Sequence, residues 1–186
     1  MSLLSITTDS NPKAPEWVRD PLEIAEKLSH IGVLFERWEA RQPLSDHASE
    51  EEVITAYQQA IDHLKDLYGF QSVDVVSLKP DHPDREALRA KFLNEHTHDE
   101  FEVRFFVEGR GLFALHHEDR VFLVLCEKGD LLSVPDGVRH WFDMGIEPDF
   151  KCIRLFTNPE GWVANFTGDP IADRFPRLAE FLEAGS

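Results

Sequence analysis

The chain has 186 residues, 19 Lys and Arg against 35 Asp and Glu, and a formal charge of −16. Such a balance excludes nucleic acid and anionic membrane as partners, because phosphate binding needs basic patches. One domain fits this length, with roughly 70% of the unfolded surface available for burial.

Met1 to Pro15 is polar, holds Pro12 and Pro15, and is expected to lie over the surface. It lacks a basic region followed by an apolar stretch, and no apolar run approaches the ~20 residues that span a bilayer. A cytoplasmic location is expected. Asp20-Pro21-Leu22-Glu23 is a helix start: Asp caps, Pro suits the first helical position, and Glu23 completes a capping box. That helix should end near Gly32, before a strand over Val33–Trp38. Ser49 to Tyr68 predicts one long helix, with a Ser cap, three glutamates in its first turn and Gly69 after its end. Val53, Ala56, Tyr57, Ala60, Ile61, Leu64 and Leu67 form its apolar stripe. Ser72–Leu78 reads as a strand and Asp84–Phe92 as a short helix.

The segment Glu95–Glu102 (E-H-T-H-D-E-F-E) reads as a β-strand on which His96, His98 and Glu102 share parity. Residues of equal parity share a face, so two imidazoles and a carboxylate point one way. Two nitrogens and one hard oxygen suit iron, nickel, manganese, copper or zinc better than calcium. Gly129–His140 supplies a short strand, a Pro135-Asp136-Gly137 turn and His140, which the turn can swing back toward the first cluster. Glu100 to Thr157 alternates β-rich runs with Gly/Pro turns, as in a sandwich or small barrel. Cys126 and Cys152 sit in apolar runs and read as buried, reduced thiols. His116-His117 precedes Glu118-Asp119 and is read as a solvated hairpin tip. Beyond Asn158 the chain is a wrapping tail with a short helix near Leu178.

Four protein ligands on an octahedral ion leave two positions, which suit a bidentate ligand such as an enediolate better than a structural role. Arg104 shares the parity of Glu102, and a guanidinium there would bind a substrate oxygen; an internal salt bridge to Glu102 is the alternative. Phe142 and Phe106 could line the cavity or serve as plain core. Arg154, opposite no evident acid, is a further candidate for substrate contact; a surface ion pair is the alternative. Glu95, Asp99 and Glu100 could orient imidazole N–H groups or sit exposed at the rim.

His96-x-His98-x3-Glu102-x6-Gly109 followed by Gly129-x5-Pro135-x-Gly137-x2-His140 resembles the paired motifs of the cupin superfamily. The chain departs from them at Ala90, where glycine is expected, and at Met144, where asparagine is. Within the cupins, E-H-T-H-D-E-F-E-V-R-F-F, D-G-V-R-H-W-F-D-M-G and I-R-L-F-T-N-P-E-G-W-V resemble the acireductone dioxygenases of methionine salvage. The resemblance implies a mostly β jelly-roll barrel with flanking helices, a single domain over 1–186. Within it, 1–92 packs on the barrel, 93–157 forms the metal-binding core and 158–186 wraps around. It implies one Fe(II) or Ni(II) per chain on His96, His98, Glu102 and His140, with Arg104 catalytic. Substrate contacts would come from Arg104, Phe142, Arg154 and Trp162. The implied reaction cleaves acireductone (1,2-dihydroxy-3-keto-5-methylthiopentene) with O2. Fe(II) would give formate and 4-methylthio-2-oxobutanoate; Ni(II) would give formate, carbon monoxide and 3-methylthiopropionate. A monomer is expected. Another cupin dioxygenase, acting on a flavonol or thiol, would carry the same ligands. A non-catalytic regulatory cupin would need a helix-turn-helix and a basic patch, and this chain has neither.

Overall fold

The structure, a computed structural model, describes residues 1–158 and 163–186. Its elements in chain order are β1 (Leu3–Thr8), β2 (Asn11–Val18), α1 (Pro21–Ser29), β3 (Phe35–Arg37), α2 (Glu50–Ala56), α3 (Gln58–Tyr68), β4 (Ser72–Leu78) and α4 (Arg85–Phe92). There follow β5 (His96–Thr97), β6 (Glu102–His117), β7 (Arg120–Glu127), β8 (Asp130–Val134), β9 (Arg139–Asp143), β10 (Phe150–Phe156), β11 (Asn165–Phe166), a 3-10 turn (Pro170–Arg174) and α5 (Leu178–Ala184). No helix among the described residues is long and apolar enough to cross a membrane.

The 16-residue strand β6 organises everything else. Its first half pairs with β10 on one side and β8 on the other, while its second half pairs with β7 and β9. The two halves therefore belong to two sheets, β4-β10-β6-β8-β3 and β11-β5-β9-β6-β7-β1-β2. Residues from both sheets, including Phe106, Leu132 and Cys152 from one and Phe113, Val124 and Phe142 from the other, meet in a single apolar core. A mostly β fold with helices outside it is thus what the sequence predicts and what the chain adopts.

A slip in β6 makes the double sheet possible. Lys151 faces Glu108 but Cys152 faces Phe106, so Val107 is an extra residue in the ladder. In the first half the even residues (Arg104, Phe106) point inward and Val103, Phe105 and Val107 pack outward, in the cluster that holds Ile61 and Leu64 of α3. Past the slip the odd residues Phe113 and Leu115 point inward and Leu112 and Ala114 outward, in the cluster that holds Phe181 of α5. A one-residue shift of a period-2 chain exchanges its faces. Gly109 turns the corner with φ +65, and a Cβ there would lie 1.8 Å from the Asp149 carbonyl oxygen.

The local signals for helices hold with three amendments, the first being that Glu23 does not close a capping box on α1, where only the Asp20 side chain caps. Asp20 caps α1 by accepting from the N–H groups of Leu22 and Glu23, and Ser49 and Glu52 form a reciprocal capping box on α2. The single helix predicted over Ser49–Tyr68 is broken at Tyr57, whose φ −109 and ψ 17 are not helical. That residue is buried, its ring edge-on to Phe105, and packing overrides continuity. Leu67, placed on the apolar stripe, is 57% exposed. The larger correction concerns Met1–Pro15. Leu3–Thr8 is not a surface segment but a strand hydrogen-bonded between β7 and β2, with Leu4 and Ile6 in the core.

Candidate metal centre

The ligand segment is not one strand. Only His96 and Thr97 are extended; His98 to Phe101 form a turn, and Glu102 opens β6. The parity argument for Glu95–Glu102 therefore fails as geometry, yet the side chains converge. Single-residue pairings do the work: His96 sits opposite His140 across β5 and β9, and His140 sits opposite Leu115 on β6. The Pro135–Gly137 turn closes on the first block directly, with Gly137 (φ +71) donating its N–H to the His98 carbonyl at 2.9 Å.

Ring centroids of His96 and His140 lie 4.4 Å apart, with His98 5.1 and 5.0 Å from them. One nitrogen from each ring falls within 4.8 Å of the others. All three histidines are at most 5% exposed, and Glu102 is fully buried. Each Nδ1 lies 2.8 Å from a backbone carbonyl: Asn94 for His96, Val163 for His98, Val138 for His140. A carbonyl only accepts, so each Nδ1 carries the proton and each Nε2 presents a bare lone pair. Burial above all favours the neutral form of His96 and His140, pushing the first down to about 4 and the second to about 3. Neutral imidazole is the form that ligates.

Glu102 lies beside the three histidines. Burial acts to raise its carboxyl, but the positive neighbours, Arg104 first, outweigh it and hold Glu102 down at about 2. Arg104 Nε donates to Oε1, and Oε2 lies 3.4 Å from His98 Nε2. Glu102 Oε2, His98 Nε2 and His140 Nε2 are buried with no hydrogen-bond partner. Three orphaned acceptors side by side in the interior would cost several kcal/mol. A divalent cation removes that penalty, so the donor set fits one.

The other predicted site residues fall at different depths. Arg104 forms the internal pair with Glu102, and its guanidinium rests over Phe113 at 5.0 Å and Phe142 at 5.8 Å. Phe142 is only 2% exposed and lies beneath Arg104, with Phe113 4.7 Å away, as floor rather than wall. Arg154 stands beside Arg104 in register, and an acid does face it: Asp74 on β4 takes both ends of its guanidinium, at 2.8 and 2.5 Å. Strand partners 80 residues apart leave no local trace, which is why the sequence concealed that acid. Trp162 lies outside the described residues.

None of the three acids expected near the imidazoles orients one. Asp99 accepts from Asn165 Nδ2 at 3.1 Å and Glu100 from Thr157 and Asn158. Glu95, 1% exposed, accepts from His116 Nδ1 at 2.6 Å and from the Thr167 hydroxyl at 2.9 Å. His116 is consequently no solvated tip; it is 4% exposed and ties β6 to the segment leading into β5. Phe166, unremarked in the sequence, pairs with His96 from β11.

A family model described as "ARD/ARD' family" matches residues 4–164. Acireductone dioxygenase of Citrobacter koseri is 61% identical over 179 residues, covering 96% of this chain and 99% of its own. That of Methylococcus capsulatus is 58% identical over 183 residues, 98% of each. The solved acireductone dioxygenase of Bacillus anthracis, with a cadmium ion in its active centre, superposes with a TM-score of 0.78 at 30% identity. It covers 89% of this chain and 98% of its own. The chain belongs to the ARD/ARD' family.

Proposed function

We propose that this chain is an acireductone dioxygenase of methionine salvage, with His96, His98, Glu102 and His140 holding one Fe(II) or Ni(II). The observation that carries the reading is the set of partnerless buried acceptors, His98 Nε2, His140 Nε2 and Glu102 Oε2, in a chain of this family. Imidazole and carboxylate suit iron and nickel alike, so availability decides between them. A divalent ion held there would supply Lewis acidity and a template for an enediolate substrate.

The chain's own groups do the rest. Nδ1–H bonds to main-chain carbonyls fix each imidazole ring, so no reorganisation accompanies substrate arrival. Arg104 clamps one oxygen of Glu102 and directs the other inward. Its charge, with that of Arg154 beside it, favours loss of the enediol proton and holds the resulting anion against a global charge of −16. Phe142 and Phe113 shield the floor from water, which strengthens those electrostatic effects. Phe142, on the floor, completes the substrate contacts. The substrates are acireductone and O2, and the chain works as a cytoplasmic monomer. With Fe(II) the products are formate and 4-methylthio-2-oxobutanoate; with Ni(II) they are formate, carbon monoxide and 3-methylthiopropionate.

The test is to strip the protein, reload it separately with Fe(II) and Ni(II), and supply acireductone with oxygen. Oxygen uptake by both forms, with carbon monoxide from the nickel form alone, is expected. Substrate loss no faster than without protein would overturn the assignment. In the same assay Arg104→Ala should raise KM while one metal per chain remains.

A further inference from the structure

The outer face of the second sheet is apolar until it reaches the end of β1. Leu3, Leu112, Ala114 and Leu125 pack there in the cluster that holds Ile171 of the 3-10 turn and Phe181 of α5. Past Leu3 the same face of β1 carries Ser5 and Thr7 instead. Thr7 is 7% exposed, and its hydroxyl has no hydrogen-bond partner among the described residues. A buried hydroxyl of this kind carries a desolvation cost that a bound polar group would remove.

The edge strand explains why nothing in the fold meets it. Ile6 pairs with Glu16 and Thr8 with Asn11, so β2 runs through five positions while β1 runs through two. The stretch from Pro12 to Pro15 therefore stands off from Thr7, and its prolines have no N–H to give the ladder. A cleft of about 580 Å³ opens there, walled by Trp17, Phe175 and Leu123. Such a volume suits a small organic molecule. Lys13 and Arg174, exposed on its lining, form no ion pair among the described residues. The two carboxylates of the wall are already engaged by Arg177: Asp173 accepts from its guanidinium and Glu180 from its backbone N–H, each at 2.9 Å. Free cations beside aromatic rings, in a chain of charge −16, select an anion with an apolar, planar body. The cleft lies across the sheet from the metal centre, since Leu115, opposite His140, points inward and Leu123 outward.

We propose that this cleft binds an aromatic carboxylic acid with a hydroxyl at its far end. The carboxylate sits at the rim between Lys13 and Arg174, the ring lies against Trp17 and Phe175, and the hydroxyl meets Thr7 Oγ1 at the bottom. Nothing in this depends on the reaction at the metal centre. Calorimetric titration of the metal-loaded chain with 3-(4-hydroxyphenyl)propionate should show saturable binding. 3-Phenylpropionate, which lacks only the hydroxyl, should bind about fivefold more weakly, as for one lost hydrogen bond. Thr7→Val keeps the shape without the hydroxyl and should bind both acids alike, at the weaker value. Lys13→Ala combined with Arg174→Ala should weaken both acids by about fivefold and leave the preference between them intact. A further readout needs no ligand. Thr7→Val gives up no internal hydrogen bond, so its Tm should be no lower than that of the wild type. A lower Tm would mean that the hydroxyl already has a partner, and would overturn the proposal. So would no saturable binding of either acid, equal affinity of the wild type for both, or a preference that survives in Thr7→Val. Binding that disappears when the metal is stripped would place the acids on the ion instead, and would overturn it too.

Discussion

Replacing Arg104 by Met should destabilise the metal-free protein far more than the metal-loaded one. The two residues of the pair are 3% and 0% exposed, and the guanidinium also lies over two phenyl rings. Removing one partner of such a pair leaves an uncompensated charge, at about 3–5 kcal/mol. In a domain of this size each kcal/mol moves Tm by about 2–4 °C, so the apo variant should melt roughly 6–20 °C lower. A bound cation faces Glu102 in both proteins and replaces much of the lost charge. The Tm increment on metal addition should therefore be larger in the variant, and its metal affinity tighter by about tenfold for each 1.4 kcal/mol recovered. The sign of the pH dependence also changes. In the wild type Glu102 titrates at about 2, below its unfolded value, so its contribution is present at neutral pH and lost on strong acidification. Without Arg104, burial dominates and raises the carboxyl. Stability of the apo variant should then fall as pH rises through the ordinary carboxylate range. Calorimetry of the apo and metal-loaded forms from pH 4 to 8 measures all three effects. An apo variant within about 1 kcal/mol of wild type would refute the reasoning.

The imidazoles give a second pH effect. His96 and His140 titrate at about 4 and about 3 when folded, so the unfolded chain binds more protons below its ordinary histidine pKa. Urea unfolding of the apo protein should show stability lost as pH drops from about 6.5 toward 4, and metal retained down to about pH 5. Gly111→Ala would put a Cβ 2.2 Å from Phe142 Cζ, and should cost about 1–3 kcal/mol by overpacking. Gly109→Ala meets main chain instead, at 1.8 Å, and should yield little folded protein by near-ultraviolet circular dichroism. Glu95→Ala strands His116 and Thr167, and should cost about 1–3 kcal/mol of unfolding free energy. Elemental analysis of that variant should still find one metal per chain, since no ligand imidazole depends on Glu95.

What the sequence made legible was chemistry with a fixed spacing. The H-x-H-x3-E and P-x-G-x2-H patterns name the converging side chains, even though the path between them is a turn rather than the strand inferred from parity. Helix caps at Asp20 and Ser49 were equally plain, being local. Partners across strands were not. Asp74 opposite Arg154, Glu95 beneath His116 and β1 slotted against β7 all depend on which strands adjoin. A period-2 pattern says which face a residue takes but not whom it meets. The slip at Val107 is hidden for the same reason, since it exists only relative to β10. Leu3–Thr8 was missed because the prolines after it, Pro12 and Pro15, suggested irregular chain, whereas they sit on the outermost strand β2, which tolerates lost donors.

The tautomer of every ligand histidine is dictated by main-chain carbonyls, at Asn94, Val138 and Val163, that any amino acid would supply. A change of side chain at those three positions leaves the carbonyl in place, and with it the donor atoms the rings offer to an ion.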